Sequence, residues 1–216
     1  MKRRLLGFVE AVLLIVAGPS AFGADSALPR VFCLSQQALA KSKARLAAQE
    51  TDLRPALNQL LKEAQAALKV KPCSVVDNDL VPPSGDKHDY ISFGPYWWPD
   101  PTKKDGLPYI RRDGEVNPES KSSGSDSPAL GRMSSAVQTL ALAYYFSDDQ
   151  RFAEHAAKLL RTWFLDPQTR MKPHLQYGQG IPGREDGRAT GIIDTVALTR
   201  VVDAVGLLHG SPVWQE

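Results

Sequence analysis

Five stretches of this chain place apolar residues at helical spacing, and two long proline- and glycine-rich stretches interrupt them. The first two, Ser35 to about Glu50 and Asp52 to Val70, form a predicted helical hairpin. Leu53, Ala56, Leu60, Leu61, Ala64, Ala67 and Leu68 share one face of its second helix. Pro55 falls in that helix's first turn, where a missing N–H costs nothing, and Pro72 follows its end. A third helix is expected from near Asp126, with Pro128 in its first turn, through Met133, Val137, Leu140 and Tyr144. A fourth carries Phe152, Ala156, Leu159, Leu160 and Trp163 on one face and ends at Asp166-Pro167. A fifth is expected from about Ile192 to Leu208. Helical pairs in series point to an all-α solenoid or toroid of antiparallel hairpins, although no exact internal repeat is visible.

The first interruption, about Pro72 to Ser125, contains His88-Asp89-Tyr90-Ile91-Ser92-Phe93-Gly94-Pro95-Tyr96-Trp97-Trp98-Pro99-Asp100-Pro101. Pro95, Pro99 and Pro101 fix φ and remove donors, so this run is neither a helix nor a central strand. Tyr90, Tyr96, Trp97 and Trp98 offer flat rings suited to stacking on sugars; the alternative is that they tuck the loop onto a helical core. Farther along, residues 107–119 are expected to form a short hairpin turning at Asp113-Gly114. The second interruption, Arg170 to Gly191, is polar and rich in glycine. Its glycines neither follow a strand nor precede a Lys-Ser/Thr pair, which argues against a nucleotide loop.

Residues 1–23 read as a secretory signal peptide: Lys2, Arg3 and Arg4, an apolar run from Leu5 to Gly18, then small residues up to Gly23. Glu10 interrupts the run, which is short for a membrane span of ~20 residues. The expected mature chain, 24–216, is one helical domain, periplasmic or secreted, with no membrane association after cleavage. Of 26 basic and 24 acidic residues, removal of Lys2, Arg3, Arg4 and Glu10 leaves 23 of each. Zero net charge argues against nucleic acid as a partner, so an anionic substrate must be met by locally placed cations. Cys33 and Cys73 would meet in a single disulfide after export, closing 39 residues and stabilising the fold by about 3–4 kcal/mol; two buried free thiols are the alternative. No spacing calls for a metal or another cofactor.

An ordered set of motifs spans Lys87 to Leu208: Lys87-His88-Asp89-Tyr90, Gly94-Pro95-Tyr96-Trp97-Trp98-Pro99-Asp100-Pro101, Gly106-Leu107-Pro108-Tyr109-Ile110, Asn117-Pro118-Glu119, Trp163-Phe164-Leu165-Asp166-Pro167, Ile181-Pro182-Gly183 and Gly191-Ile192-Ile193-Asp194-Thr195. This set resembles the N-terminal half of the bacterial alginate lyase domain. The resemblance implies an incomplete α/α toroid whose cleft binds an acidic polysaccharide, and β-elimination at a uronate. Such chemistry needs a cation or donor on the uronate carboxylate, a base for the proton on carbon 5, and an acid for the departing oxygen. Arg184 and Arg188 are candidate carboxylate clamps; the alternatives are pairing with Glu185 and Asp186, or capping a helix. His174 and Tyr177 are candidate cleft groups, Gln176 and Gln179 candidate sugar partners, and Tyr90, Tyr96, Trp97 and Trp98 the stacking rings.

In related lyases an Asn-Asn-His segment and a later tyrosine complete the catalytic set. The sequence holds no Asn-Asn pair and ends at Trp214-Gln215-Glu216, so those groups are expected beyond Glu216 and the catalytic residues stay unassigned. A toroid stopped after five helices would leave Val201, Val205 and Leu208 without a neighbour, predicting poor solubility or a molten last helix. The leading expectation is thus a monomeric polysaccharide lyase acting on an alginate-like glycan, the chain being incomplete. The alternatives are a non-catalytic helical glycan-binding protein or inactive lyase remnant, and a helical scaffold that leaves the Tyr-Trp-Trp run unexplained.

Overall fold

The computed structural model describes residues 28–122 and 124–214. The expected leader lies outside them. Among the described residues there are five α-helices: α1 Gln36–Ala47, α2 Arg54–Ala67, α3 Ser127–Ser147, α4 Gln150–Phe164 and α5 Leu198–Leu208. Local chemistry sets their ends. Ser35 caps α1 by accepting from the Ala38 N–H, and Asp149 caps α4 by accepting from the Arg151 N–H. Between α3 and α4 the chain reverses at Asp148, which takes the left-handed conformation with φ 55°.

Helix α3 is the centre of the molecule, packed against α2, α4 and α5. Its Leu130, Met133, Val137 and Leu140 meet Phe152, Ala156, Leu159, Leu160 and Trp163 of α4 in one continuous core. Burial of such side chains at about 1.5–3 kcal/mol each drives the assembly. Val201, Ala204, Leu207 and Leu208 of α5 complete this core. The expectation that Val201, Val205 and Leu208 would lack a neighbour is therefore corrected: Val201 and Leu208 are buried and Val205 is half-buried, all against the core built on α3. Within residues 189–208 the large apolar residues left in solvent are Ile192, Ile193, Val196 and Val202.

Three of those four belong to a further correction. Where the periodicity predicts a helix from Ile192, residues Ala189–Ala197 form a 3-10 helix, and the α-helix begins only at Leu198. Asp194, bound to three side chains of the two interruptions, holds this stretch in place.

The segment before α1 lies on α5. The buried Asp203 carboxylate accepts the backbone N–H groups of Phe32, Cys33 and Leu34 at 2.6–3.2 Å. Gly206 allows this approach, because a Cβ there would collide with the Arg30 carbonyl. Cys33 is thus fixed at the surface beside α5, while Cys73 follows α2 and is half-buried. Both are free thiols, which corrects the expected disulfide. Nor is Cys33 buried, as the alternative reading required.

Among the described residues four short strands form two ladders. Strand β1, Ile91–Phe93, pairs in parallel with β4, Tyr177–Gly180, with Ile91 opposite Tyr177 and Phe93 opposite Gly180. Strand β2, Trp97–Trp98, pairs antiparallel with β3, Ile110–Arg111. The expected hairpin within 107–119 is corrected accordingly: the partner of Ile110-Arg111 is the tryptophan pair, and Asp113-Gly114 turns without a following strand. β1 is tied to the first turn of α3, because Asp126 accepts the Ile91 N–H through its carboxylate and donates its own N–H to the Ile91 carbonyl.

Candidate functional site

The β1–β4 pair brings the two interruptions together, one supplying aromatic rings and the other arginines. Its inner layer is a hydrogen-bond cluster around Asp194. Oδ2 accepts from the Tyr90 hydroxyl at 3.0 Å and the Ser92 hydroxyl at 2.6 Å, and Oδ1 accepts from Gln179 Nε2 at 3.1 Å. Tyr90 is fully buried, so it is a structural group and not the exposed stacking ring expected. Burial, reinforced by Asp194, raises its phenol pKa and keeps it protonated as a donor. Tyr177, on β4, is also buried, its ring edge-on to His174 at 6.5 Å.

Gln179 is buried with φ 50°, and its side chain is committed to Asp194 and Arg188. Its backbone carbonyl accepts from Arg188 Nε at 2.7 Å. Its expected role as a sugar partner gives way to holding the guanidinium. Gly94 makes the approach possible: a Cβ there would lie 2.6 Å from Arg188 Nη2 and 2.8 Å from Trp97 Cδ1. Glycine at this position lets Arg188 and Trp97 close over the same backbone.

Arg184 donates through Nε to the Tyr109 carbonyl at 2.7 Å, and its Cζ lies 5.3 Å from the centre of the Trp97 ring. Across the ladder, Arg112 sits 5.1 Å over Trp98, whose indole N–H donates to the Glu115 carbonyl. Each pair is a cation–π contact. The hydrogen bonds of Arg184 and Arg188 go to carbonyls and an amide, and neither arginine is ion-paired with Glu185 or Asp186 among the described residues. Trp97 and Trp98 are half-buried and Tyr96 is 42% exposed. Arg188 and Trp97 thus meet at Gly94, with Arg184 over the Trp97 ring and Arg112 over the adjoining Trp98.

His174 and Gln176 stand apart from that group. Gln176 is exposed. His174 Nε2 and Lys172 Nζ each lie 3.1 Å from Oδ1 of Asp89, a carboxylate only 2% exposed whose Oδ2 accepts from Ser84. Burial alone would raise the Asp89 pKa, but Ser84, Lys172 and His174 together hold it below the ordinary carboxylate value. On their other side His174 and Lys172 edge an apolar groove of about 850 Å³ lined by Phe164, Met171, Leu175 and Ile192.

Sequence reasoning missed Asp194, Ser92, Asp89 and Arg112. Asp194 stands inside a quoted motif, but its spacing suggested a helix face. Nothing local to Ser92 or Asp89 announces partners on β4 or at Lys172. Among the described residues, no group of three or more His, Cys, Asp or Glu side chains is placed to hold a metal ion.

Helices around a central α3, with two short strand pairs that bring aromatic rings and arginines together, define a helix-rich protein with an aromatic and cationic surface. The family model described as alginate lyase matches residues 74–216, which contain every candidate site residue. A crystal structure of an alginate lyase from Bacteroides ovatus superposes with a TM-score of 0.80 at 48% sequence identity, covering 86% of this chain and 48% of that one. The chain thus spans about half the length of that lyase. No curated protein matches it. The chain belongs to the alginate lyase family.

Proposed function

We propose that this chain carries the glycan-positioning surface of a polysaccharide lyase that cleaves a uronate-containing polymer by β-elimination. The observation that carries the proposal is the pair Arg184 and Arg188, held beside Trp97 with no carboxylate of the described residues neutralising them. A pyranose stacked on the indole would bring its carboxylate toward two planar donor forks. Neutralising that carboxylate acidifies the proton on carbon 5, the first requirement of elimination. Gln179 and Asp194 fix Arg188 in advance, so little side-chain freedom is lost on binding.

Membership of the alginate lyase family and the Bacteroides ovatus structure support this chemistry. We read the helical pairs as part of an α/α toroid, and the protein as exported on the strength of the leader-like residues 1–23. The expected Asn-Asn-His and tyrosine groups would complete the reaction. Incubation with alginate and with other polyuronates tests the reading. Growth of the ultraviolet absorbance of a conjugated unsaturated uronate is expected, with loss in Arg188→Ala; binding without new absorbance would replace it.

That second outcome has its own support. Tyr90 and Tyr177 are buried, and His174 is turned to Asp89, so none of the three stands free as a base beside Arg188. Turnover would then draw its base from outside these three positions, and glycan binding alone is the second reading.

A further inference from the structure

The 3-10 helix Ala189–Ala197 sorts its residues by threes, because side chains at i and i+3 eclipse in that geometry. One row faces β1 and β4: Gly191 packs on Gly178, and Asp194 takes the hydrogen bonds of Tyr90, Ser92 and Gln179. A second row, Ile192, Thr195 and, at the start of α5, Leu198, lines the groove of about 850 Å³. In the third row Ile193 and Val196 are each more than half exposed, and Val202, one turn beyond Leu198, carries the apolar surface onward along α5.

The chemistry of this face suits it to being covered. Phe164, Met171 and Leu175 form the other side of the groove, each half-buried with its back on the core. Its hydroxyls are satisfied locally: Thr195 donates to the Ile192 carbonyl and Thr199 to the Val196 carbonyl, so neither depends on water. At the rim Lys172 and His174 are paired with Asp89, and Lys172 also with Asp86. Desolvating such a surface costs little, and a contiguous apolar stretch of this kind marks an interaction site.

We infer that this face seats an apolar-faced helix from the portion of the alginate lyase domain that lies outside this chain's match with the Bacteroides ovatus enzyme. The inference rests on the lyase reading above and names the surface on which its other part docks. Two observations select the occupant. That lyase shares this fold at 48% identity yet is about twice as long, so the counterpart of this face has a further half-length of chain available to cover it. The groove also extends an array in which α3 packs against α2, α4 and α5, and helices in such arrays bury their apolar stripes against the next element. Arg170 at the rim favours an acidic residue at the border of the incoming helix. Because Ile193 and Asp194 share one 3-10 helix, the occupant is seated beside the cluster that fixes Arg188.

The test joins the full chain to the stretch of the Bacteroides ovatus lyase outside the match and follows amide hydrogen exchange over residues 189–202, in the fusion and in the chain alone. Exchange there is expected to slow at least about tenfold in the fusion, with a gain of helical signal from the added stretch. Ile193→Asp and Val196→Asp alter exposed positions, so the thermal midpoint of the chain alone should not move, yet each should abolish that protection in the fusion. The interface is overturned if residues 189–202 exchange as fast in the fusion as in the chain alone, whether or not the added stretch gains helix. It is overturned as well if the chain alone already protects these residues, either as a dimer that Ile193→Asp disperses in sedimentation or through residues 1–27, whose removal would then expose them. Ultraviolet turnover on polyuronate is recorded in parallel. Protection without turnover keeps the interface and removes the lyase reading, whereas turnover without protection does the reverse.

Discussion

Tyr90 donates its hydroxyl hydrogen to Asp194 at 3.0 Å across 104 residues of chain, joining the aromatic run to the 3-10 helix that leads into α5. With Ser92 and Gln179 on the same carboxylate, Asp194 organises what lies beneath Arg188. Tyr90→Phe is expected to cost about 1–2 kcal/mol, the penalty of removing one donor to a charged acceptor. Asp194→Ala, which strands three donors, should cost more than Tyr90→Phe, and urea unfolding midpoints of the two variants check the order.

Asp203 gathers three successive backbone N–H groups of the segment before α1. Asp203→Ala is expected to destabilise the protein by about 3 kcal/mol, since those N–H groups lose a charged acceptor and part of them stays buried. Hydrogen exchange should rise first at Phe32, Cys33 and Leu34, before the α3–α4 core.

Two buried carboxylates pull the pH dependence in opposite directions. Burial pushes Asp126 up to about 6, although the Ile91 N–H and the Asn78 amide oppose the shift. A raised folded pKa means its contribution to stability is full below the unfolded value of about 3.9 and is lost as pH rises through about 6. Asp89 is held low, so its contribution is full above about 3.9 and is lost as pH falls below that. Stability should therefore peak near pH 4 and fall between about pH 4 and pH 6. Thermal midpoints across pH 3–8 check this, and Asp126→Asn should flatten the fall on the alkaline side, on the order of 2–3 kcal/mol.

Gly94 sits where Arg188 and Trp97 approach the same backbone. Gly94→Ala should displace the guanidinium and weaken glycan binding about tenfold, a loss of roughly 1.4 kcal/mol. Because the added methyl and the guanidinium compete for one space, Gly94→Ala and Arg188→Ala should be non-additive. In a double-mutant cycle the methyl should be better tolerated once Arg188 is gone.

The thiols give a simple chemical check. Cys33 is exposed, whereas Cys73 is half-buried, with its pKa raised first by desolvation. An aromatic disulfide reagent should modify Cys33 promptly and Cys73 slowly, and Cys33→Ser should leave the thermal midpoint unchanged. A disulfide would instead show no titratable thiol and a loss of several kcal/mol on substitution.

Helices α1 to α4 were legible because their signals are local. Pro55 and Pro128 mark starts, and the apolar face of α4 is the face that is buried. The stretch from Ala189 to Ala197 was illegible for the opposite reason: Ile192, Ile193 and Val196 look like a core face, yet the segment is held by hydrogen bonds to Asp194 from β1 and β4. Aromatic residues in a proline-rich run announce a surface, but whether a ring faces out depends on distant partners. Hence Tyr90 turned inward while Trp97 and Trp98 stayed at the surface. Arg184 and Arg188 were found through their motif neighbourhood. The groove beside His174 was not, because its lining is scattered from Phe164 to Leu198 and meets only in the folded chain.

The parallel pairing of β1 with β4 has a kinetic side. The two strands flank the α3–α4 hairpin in sequence, so they meet only once that hairpin has formed and brought their ends together. Contacts between remote parts of a chain close late, after local helices have already appeared. A half-folded molecule would show much of its helical signal and still present no arginine beside Trp97. The proposed glycan binding would therefore report the last event of folding, and should vanish ahead of helicity when the protein is gently denatured.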